Sequence, residues 1–188
     1  MREPSRWLPW IAVLLFLSPV AASAQQPAYD SPLGHVRAYS GVIGAFAPGE
    51  LNAYGIGGVF EPKAIVWDYF AVGVRVDGAA MVGLDASNVN QARLLLRMCG
   101  AAMLKGEVLL LPGEVKPFIG VGLGYYAAVL LAGGVAGGSS SLTGTGPGIM
   151  PQVGVDLGWF RAAAQYHFIL GDLGAANYFA VELAWRVY

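Results

Sequence analysis

Charged residues are scarce in this chain of 188 residues: only 12% of it is Asp, Glu, Lys or Arg, whereas 56% is hydrophobic. Soluble domains usually carry about 25% charged residues, so the composition favours a protein whose surface faces lipid. The formal net charge is only −1, which excludes the strongly basic surface of a nucleic-acid-binding protein. We therefore expect no nucleic acid among its partners.

Cysteine and histidine are also nearly absent. The single cysteine, Cys99, excludes an intrachain disulfide and a cysteine-rich zinc site. The two histidines, His35 and His167, lie far apart in the sequence without clustered carboxylates. No glycine run has the spacing and the lysine of a phosphate-binding loop. We expect neither a metal site nor a cofactor.

The N-terminus has the three parts of a secretory signal peptide. Two arginines precede the apolar run WLPWIAVLLFL, which is followed by a proline and the small-residue sequence ASA ending at Ala24. This run is shorter than the ~20 residues of a membrane-spanning helix, which argues against an uncleaved anchor. We predict a cleaved signal peptide at 1–24, a short linker at 25–34 and one folded domain at 35–188.

The longest stretch without a charged residue runs from Pro117 to Val155, and its hydrophobicity is compatible with either a helix or strands. In PFIGVGLGYY three glycines alternate with large apolar residues, which is the period of a strand. In a helix each glycine would cost about 0.8–1 kcal/mol relative to alanine. The alternation favours a strand, and a membrane-spanning helix is the alternative because ~20 apolar residues would cross a bilayer.

The same alternation recurs along the chain, and within each run the charged residues keep one parity. That regularity indicates strands with one apolar and one polar face. We predict an all-β fold: an eight-stranded antiparallel up-and-down transmembrane β-barrel. The predicted strands cover 35–47, 51–60, 67–84, 91–111, 116–133, 148–159, 161–171 and 177–188.

The connectors between these strands fall into two alternating sets. We expect 48–50, 86–89, 133–148 and 172–177 to face outward, and 61–66, 111–115 and 159–161 to be periplasmic turns. The longest and most polar segment, GGVAGGSSSLTGTGPG, belongs to the outward set, as outer-membrane barrels prefer.

A soluble barrel is the competing architecture, because it would show the same alternation with the charges outside and the apolar residues within. Aromatic residues cluster toward the predicted strand ends, where the interfacial girdles of a membrane barrel lie. The polar face also carries many glycines and alanines, which suit a narrow, crowded lumen. Both features favour the transmembrane barrel.

Parity assigns ten charged residues to the lumen. Six are basic and four are acidic: Arg75, Arg93, Arg97, Lys105, Arg161 and Arg186, with Asp77, Glu107, Asp156 and Glu182. An eight-stranded barrel leaves an interior that side chains fill, and buried charges need partners. We predict a polar network that plugs the lumen, with Glu182 near its centre in contact with arginine.

Three segments, KPFIGVGLGYY, VGVDLGWFRAAAQYHF and the alternating last strand with its final aromatic residue, together resemble one known group. The chain is similar over 35–188 to the small eight-stranded outer-membrane barrels, such as outer membrane protein X and the transmembrane domain of outer membrane protein A. The resemblance implies location in the bacterial outer membrane, contact with its lipid and lipopolysaccharide, and recognition of the C-terminal strand by the barrel insertion machinery.

The last strand departs from the pattern of that group in one respect. Its large apolar residues, from Phe179 to Val187, are one residue out of step with the terminal Tyr188. In the family these residues usually share a face with the final aromatic residue. This departure concerns how the insertion machinery would recognise the C-terminus.

His167, which lies in YHFILGD, is the residue that could indicate an enzymatic function. This segment is similar to the histidine strand of the outer-membrane lipid A deacylases, in which a serine follows two residues later. Ile169 occupies that position here, so the base lacks a nucleophile. We expect a non-enzymatic monomer with a structural or surface-interaction role through its outer loops. A narrow pore or a barrel that binds a small ligand is the alternative.

Overall fold

The computed structural model of the protein describes residues 35–49, 52–66, 69–85, 93–134, 139–171 and 176–188. The predicted signal peptide and linker lie outside these residues, as do the predicted connector 86–89 and most of 172–177. No helix in the described residues is long and apolar enough to cross a membrane.

Eight antiparallel strands form one closed barrel, in which each strand pairs with the next and the last pairs with the first. The strands are β1 (His35–Ala47), β2 (Ala53–Val66), β3 (Phe70–Asp85), β4 (Arg93–Leu109), β5 (Lys116–Gly134), β6 (Ser139–Asp156), β7 (Phe160–Ile169) and β8 (Tyr178–Arg186). The predicted all-β, eight-stranded barrel is confirmed.

The predicted facing of the strands is also confirmed, because burial alternates with a period of two. In β8, Glu182 is fully buried whereas Val181 and Leu183 on either side of it are exposed. In β3, Arg75 is fully buried between the exposed Val74 and Val76. Arg75, Asp77 and Glu182 thus lie inside the barrel, and the large aliphatic residues beside them face outward.

The predicted turn at 61–66 is wrong, because β2 continues to Val66. Residues 61–65 pair with β1 without a change of register, and Pro62 lies opposite Ala38. Proline lacks a backbone donor and usually marks a strand boundary. Here it lies at an outward-facing position, so that Glu61 and Lys63 on either side of it both point into the barrel.

The predicted loop at 133–148 is also wrong over most of its length. β6 begins at Ser139, and its residues pair with β5 from Ser139 opposite Gly133 onward. Glycine and serine have low strand propensity, which explains the misassignment. The neighbouring strand supplies a complete ladder and overrides that propensity.

The two ends of the barrel differ. At one end, here called the terminal end, lie His35 and Tyr188 and the short connections 67–69, 110–115 and 157–159. At the opposite end, the loop end, the strands reach unequal heights. The pairing of β2 with β3 ends at Gly83, and the pairing of β7 with β6 ends at Gly148. In contrast, β4, β5 and β6 stay paired with one another further toward the loop end, up to Arg93, Gly134 and Ser139. The loop-end parts of β3–β6 therefore form a projecting wall.

A β-bulge at the C-terminus explains why Tyr188 does not follow the inward–outward alternation of β8. The amides of Val187 and Tyr188 both donate to the Ala38 carbonyl, at 2.8 and 3.4 Å, and the Ala38 amide donates to the Tyr188 carbonyl at 2.9 Å. Two residues of one strand thus oppose a single residue of the other. The extra residue shifts the alternation by one, and the Tyr188 side chain is exposed.

Glycines inside the barrel make room for its large side chains, which leads to a first prediction. A β-carbon added at Gly154 would lie 2.6 Å from Phe118 Cζ and 2.8 Å from Ala163 Cβ, whereas one at Gly106 would meet nothing within 4 Å. We expect Gly154→Val to destabilise the barrel by about 1–3 kcal/mol through overpacking. Gly106→Val, on the outward face of β4 where a side chain meets nothing, is the control for a valine in a strand and should be near neutral. Urea unfolding in lipid vesicles measures both, and equal midpoints would contradict the packing.

Candidate functional site in the barrel interior

The interior of the barrel contains a cluster of buried charged side chains. Among the described residues, the buried charges are five basic and five acidic: Lys63, Arg75, Arg97, Lys105 and Arg161, with Glu61, Asp77, Glu107, Asp156 and Glu182. The sequence had predicted an excess of basic residues. The difference has three sources. Glu61 and Lys63 are additional members, and Arg186 is only half-buried. The side chain of Arg93 is not among those that the structure describes.

Two arginines from β3 and β7 hold the centre of the cluster. Arg75 contacts the carboxylates of Glu182 at 2.5 Å, Asp77 at 2.6 Å and Glu61 at 3.2 Å. Arg161 contacts Glu182 at 3.1 Å and Glu61 at 3.6 Å. Glu182 and Glu61 therefore bridge the two guanidinium groups. All these side chains are inaccessible to solvent, which strengthens each charge–charge interaction.

Glu107 on β4 gathers the remaining cations toward the terminal end. Its carboxylate lies 2.9 Å from Lys63 Nζ and 2.8 Å from Lys105 Nζ, and it also pairs with Arg161. Gln152 Nε2 donates to Glu107 Oε1 at 2.8 Å. Four side chains from four strands thus converge on one carboxylate, and Lys105 further pairs with Glu61.

Asp156 anchors the cluster at the turn between β6 and β7. It accepts hydrogen bonds from Tyr39 Oη at 2.7 Å and from the Gly158 amide at 2.8 Å. Lys63 Nζ lies 3.3 Å from it, and Arg37 lies 3.7 Å away. The ion pairs thereby extend without interruption from Arg75 in mid-barrel to the terminal end.

An apolar layer lies beside these charges in the barrel interior. Its buried residues are Ile65, Ala71, Leu109, Phe118 and Ala163. The guanidinium carbon of Arg161 lies 3.9 Å from the centre of the Phe118 ring, and Lys63 Nζ lies 5.8 Å from the same centre. These cation–π contacts join the charged cluster to the apolar layer.

On the loop-end side, a histidine and two tyrosines fill the barrel. The His167 ring stacks on Tyr178 with centroids 4.1 Å apart and an interplanar angle of 9°. The hydroxyl of Tyr126 lies 3.1 Å from His167 Nδ1. All three side chains are buried within the larger apolar cluster or beside it. His167 therefore lies in a packed aromatic layer.

Seven of the ten charged residues predicted for the lumen lie in this connected cluster: Arg75, Asp77, Lys105, Glu107, Asp156, Arg161 and Glu182. Arg97 lies apart, where its guanidinium donates to the Asn177 carbonyl at 3.3 Å. Arg186 is near the terminal end of β8 and forms no ion pair with a described residue. Sequence reasoning missed Glu61, Lys63 and Tyr39, although their odd numbers match the inward parity of β1 and β2.

The arrangement neutralises charge and fixes geometry. Each carboxylate of the cluster faces at least one cation, and the bridging glutamates tie together strands on opposite sides of the barrel. A buried charge whose partners were removed would be left in a medium of low dielectric constant, at a cost of several kcal/mol. The cluster therefore specifies one packing of the interior.

The outer surface has the opposite character. Large apolar side chains are exposed on every strand, including Ile56 at 78%, Leu104 at 68% and Leu123 at 57%. Exposed apolar area of this extent is not tolerated by a monomer in water. Aromatic pairs lie near both ends of the barrel: Phe160 with Trp185 at the terminal end, and Phe46 with Tyr54 at the loop end.

The similarity of this chain to known proteins is a similarity of fold. No family model matches the chain, and no curated protein matches it in sequence. Among solved structures, Ail, the attachment invasion locus protein of Yersinia pestis, is 13% identical in two structures, with TM-scores of 0.47 and 0.48. The first, a complex with the heparin analogue sucrose octasulfate, covers 80% of this chain and 97% of that chain, and the second 81% and 98%. Neisserial surface protein A is 18% identical, with a TM-score of 0.44, over 80% of this chain and 94% of that chain.

Proposed function

We propose that the protein is a non-enzymatic, monomeric β-barrel of the bacterial outer membrane that contacts molecules outside the cell through its loop end. The observation that carries this proposal is the inverted polarity of the barrel, which has ion pairs inside and aliphatic side chains outside. A soluble barrel would have the reverse arrangement. Lipid and lipopolysaccharide are the partners that this outer surface would contact.

The orientation follows from the lengths of the connections. Outer-membrane barrels have short periplasmic turns and longer outer loops. Two of the three connections at the terminal end have three residues, whereas those at the loop end have four to eight. The loop end with its projecting wall would then face outward. The C-terminal strand, with its bulge at Val187 and Tyr188, would be the segment that the insertion machinery recognises.

The filled interior supports a structural role over a pore. The charged cluster, the apolar layer beside it and the aromatic layer around His167 all consist of buried side chains inside the barrel. Eight-stranded barrels have interiors that side chains can fill. Conduction or ligand binding in the lumen would require several of these ion pairs to separate.

The surroundings of His167 support a role in packing over one in catalysis. Its Nδ1 meets the Tyr126 hydroxyl, and its ring is covered by Tyr178. An acyl-transfer enzyme needs a nucleophile within hydrogen-bond reach of the base. Ile169, two residues along β7, is apolar and buried.

The projecting wall supports a role in surface contact. On β6, residues 139–146 pair with β5, and their other edge has no ladder partner in the described part of β7. Unpaired strand edges accept an added strand from another chain. An edge held above the barrel mouth is therefore suited to bind an extended segment of an external molecule.

Two measurements test the location and the orientation. Protein from isolated outer membranes should migrate differently on a gel before and after boiling, because a folded barrel resists detergent. In a Cys99→Ala background, Ser141→Cys on β6 should react with a membrane-impermeant maleimide on intact cells, and Glu114→Cys in the terminal-end turn only after permeabilisation. The reverse pattern would invert the barrel.

A further prediction tests the surface role of the projecting wall. Leu130 pairs with Leu142, so residues 131–141 can be replaced by Asn-Gly to form a short hairpin. Cells that make the wild type should adhere to matrix-coated surfaces more strongly than cells without it. The short hairpin should remove that difference while the barrel stays heat-modifiable. Equal adhesion by both forms would refute a role for the wall.

A further inference from the structure

The outer face of the projecting wall is apolar up to its loop-end limit. Val82 and Leu84 on β3, Leu94 on β4 and Leu131 on β5 are exposed, and Leu84 reaches 71%. The register joins them into one patch, because Leu84 lies opposite Leu94 and Leu96 lies opposite both Val82 and Leu131. The patch is therefore a continuous surface on three strands.

The outward-facing apolar side chains around the barrel form a band, here called the apolar belt. The patch continues this belt without a polar interruption. The outward positions of β3 from Phe70 to Leu84 are Phe, Val, Val, Val, Gly, Ala, Val and Leu. Those of β4 from Leu94 to Val108 are also apolar. A surface that binds a protein partner in water normally has a polar rim around its apolar centre. The described outward positions of β3 and β4, from Phe70 to Leu84 and from Leu94 to Val108, include no polar side chain.

The aromatic residues at the loop end are distributed unevenly around the barrel. Phe46 stacks on Tyr54 where β1 ends and β2 begins, and Tyr166 and Phe168 are paired near the end of β7. Aromatic rings of this kind lie at the boundary between hydrocarbon and headgroups. β3 and β4 have no aromatic residue at their loop ends, where the last outward-facing residues described are Leu84 and Leu94.

The apolar belt is accordingly taller on one side. At ~3.4 Å per residue and a strand tilt of about 45°, the outward run of β3 from Phe70 to Leu84 spans ~33 Å along the barrel axis. The run of β7 from Phe160 to Leu170 spans ~24 Å on the same basis, which matches the ~25 Å apolar band of outer-membrane barrels. A spanning element that is too long for the bilayer is accommodated by tilting.

We propose that the outer face of the projecting wall on β3–β5 binds the acyl chains of the outer leaflet, and that the barrel is tilted so that this side is immersed more deeply. The adjoining β6 marks the water boundary. Its outward side chains Ser141 and Thr143 lie opposite Leu131 and Val129, and both are exposed hydroxyls. The free edge of β6 is thereby held at the membrane surface. This inference rests on the membrane location proposed above.

Spin labels on the reconstituted protein test the inference. In a Cys99→Ala background, labels are attached to Leu94→Cys, Leu131→Cys, Thr143→Cys and the mid-belt reference Leu123→Cys in phosphatidylcholine vesicles. Collision rates are measured with oxygen, which concentrates in lipid, and with a water-soluble nickel chelate. Labels at Leu94 and Leu131 should favour oxygen as strongly as the label at Leu123, whereas the label at Thr143 should favour nickel.

The possible results separate the tilt from the membrane location. Nickel preference at both Leu94 and Leu131, with oxygen preference at Leu123, would overturn the tilt and leave the membrane location intact. Low collision rates with both reagents, together with spin–spin broadening at Leu94 or Leu131, would show a second copy on this face and also overturn it. Nickel preference at Leu123 would overturn the membrane location itself.

Discussion

Glu107→Ala is expected to lower the free energy of unfolding by about 3–5 kcal/mol, the range for breaking a buried ion pair by removing one partner. Among the carboxylates that the structure describes, Glu107 alone forms ion pairs with Lys63, Lys105 and Arg161 together. Alanine would leave these three cations with fewer counter-charges in a buried site. Urea titration of tryptophan fluorescence in lipid vesicles measures the loss.

Two further variants separate charge from general disturbance. Glu114→Ala removes the same side chain from an exposed turn at the terminal end and should change stability by less than about 0.5 kcal/mol. Adding Lys105→Met to Glu107→Ala removes one of the stranded cations and should recover part of the loss, because contacting residues are not additive. Equal unfolding free energies for Glu107→Ala and Glu114→Ala would contradict the account of the cluster.

Leu123→Arg is expected to destabilise the inserted barrel by about 2–4 kcal/mol, the cost of a basic residue at the membrane midplane of such barrels. Leu123 lies in the middle of the apolar belt, where it pairs with the exposed Leu104 and with Ile149. Unfolding in vesicles is the measurement. Destabilisation requires that the outer face contacts lipid, because arginine on a surface in water is tolerated.

Val115→Arg provides the matched control for the lipid face. Val115 is as exposed as Leu123, at 55%, but it lies in the connection between β4 and β5 at the terminal end. An arginine there remains in water and should be near neutral. If both substitutions have the same small effect, the surface around Leu123 does not face lipid.

Much of this architecture could be predicted from parity. Arg75, Glu107 and Glu182 occupy positions that alternate with large aliphatic residues, and each points into the barrel as expected. A period of two determines which face a side chain takes because successive residues of a strand point to opposite sides. The fold class and most inward charges follow from that single rule.

Parity could not predict the height of a residue within the barrel. Arg97 and Arg186 keep the inward parity, yet one lies toward the loop end and the other near the terminal end, away from the ion pairs. Height depends on the register between strands, and register comes from tertiary pairing rather than from the local sequence. The sequence predicts the contact of Glu182 with arginine, but the partners of the other charges depend on register and could not be predicted.

Turn signals misled the prediction where the ladder was strong enough to override them. Pro62 looks like a boundary, but its outward position within β2 leaves Glu61 and Lys63 inside the barrel. The glycines and serines of β6 look like a loop, but β5 supplies a partner for each residue from Ser139 onward. Both errors hid structural features: two members of the charged cluster and the projecting wall.

Planar-bilayer recording of the purified wild-type protein tests the central claim, that the barrel spans the membrane with a lumen closed by its own side chains. We expect no continuous path for water through the barrel. Its interior is filled by the ion pairs around Arg75, Glu107 and Arg161 and by the apolar layer next to them. We expect no steady conductance at moderate voltage, from protein whose insertion is verified by its shift in gel mobility on boiling. Stable and reproducible channels from the same preparation would contradict the closed lumen and support a pore.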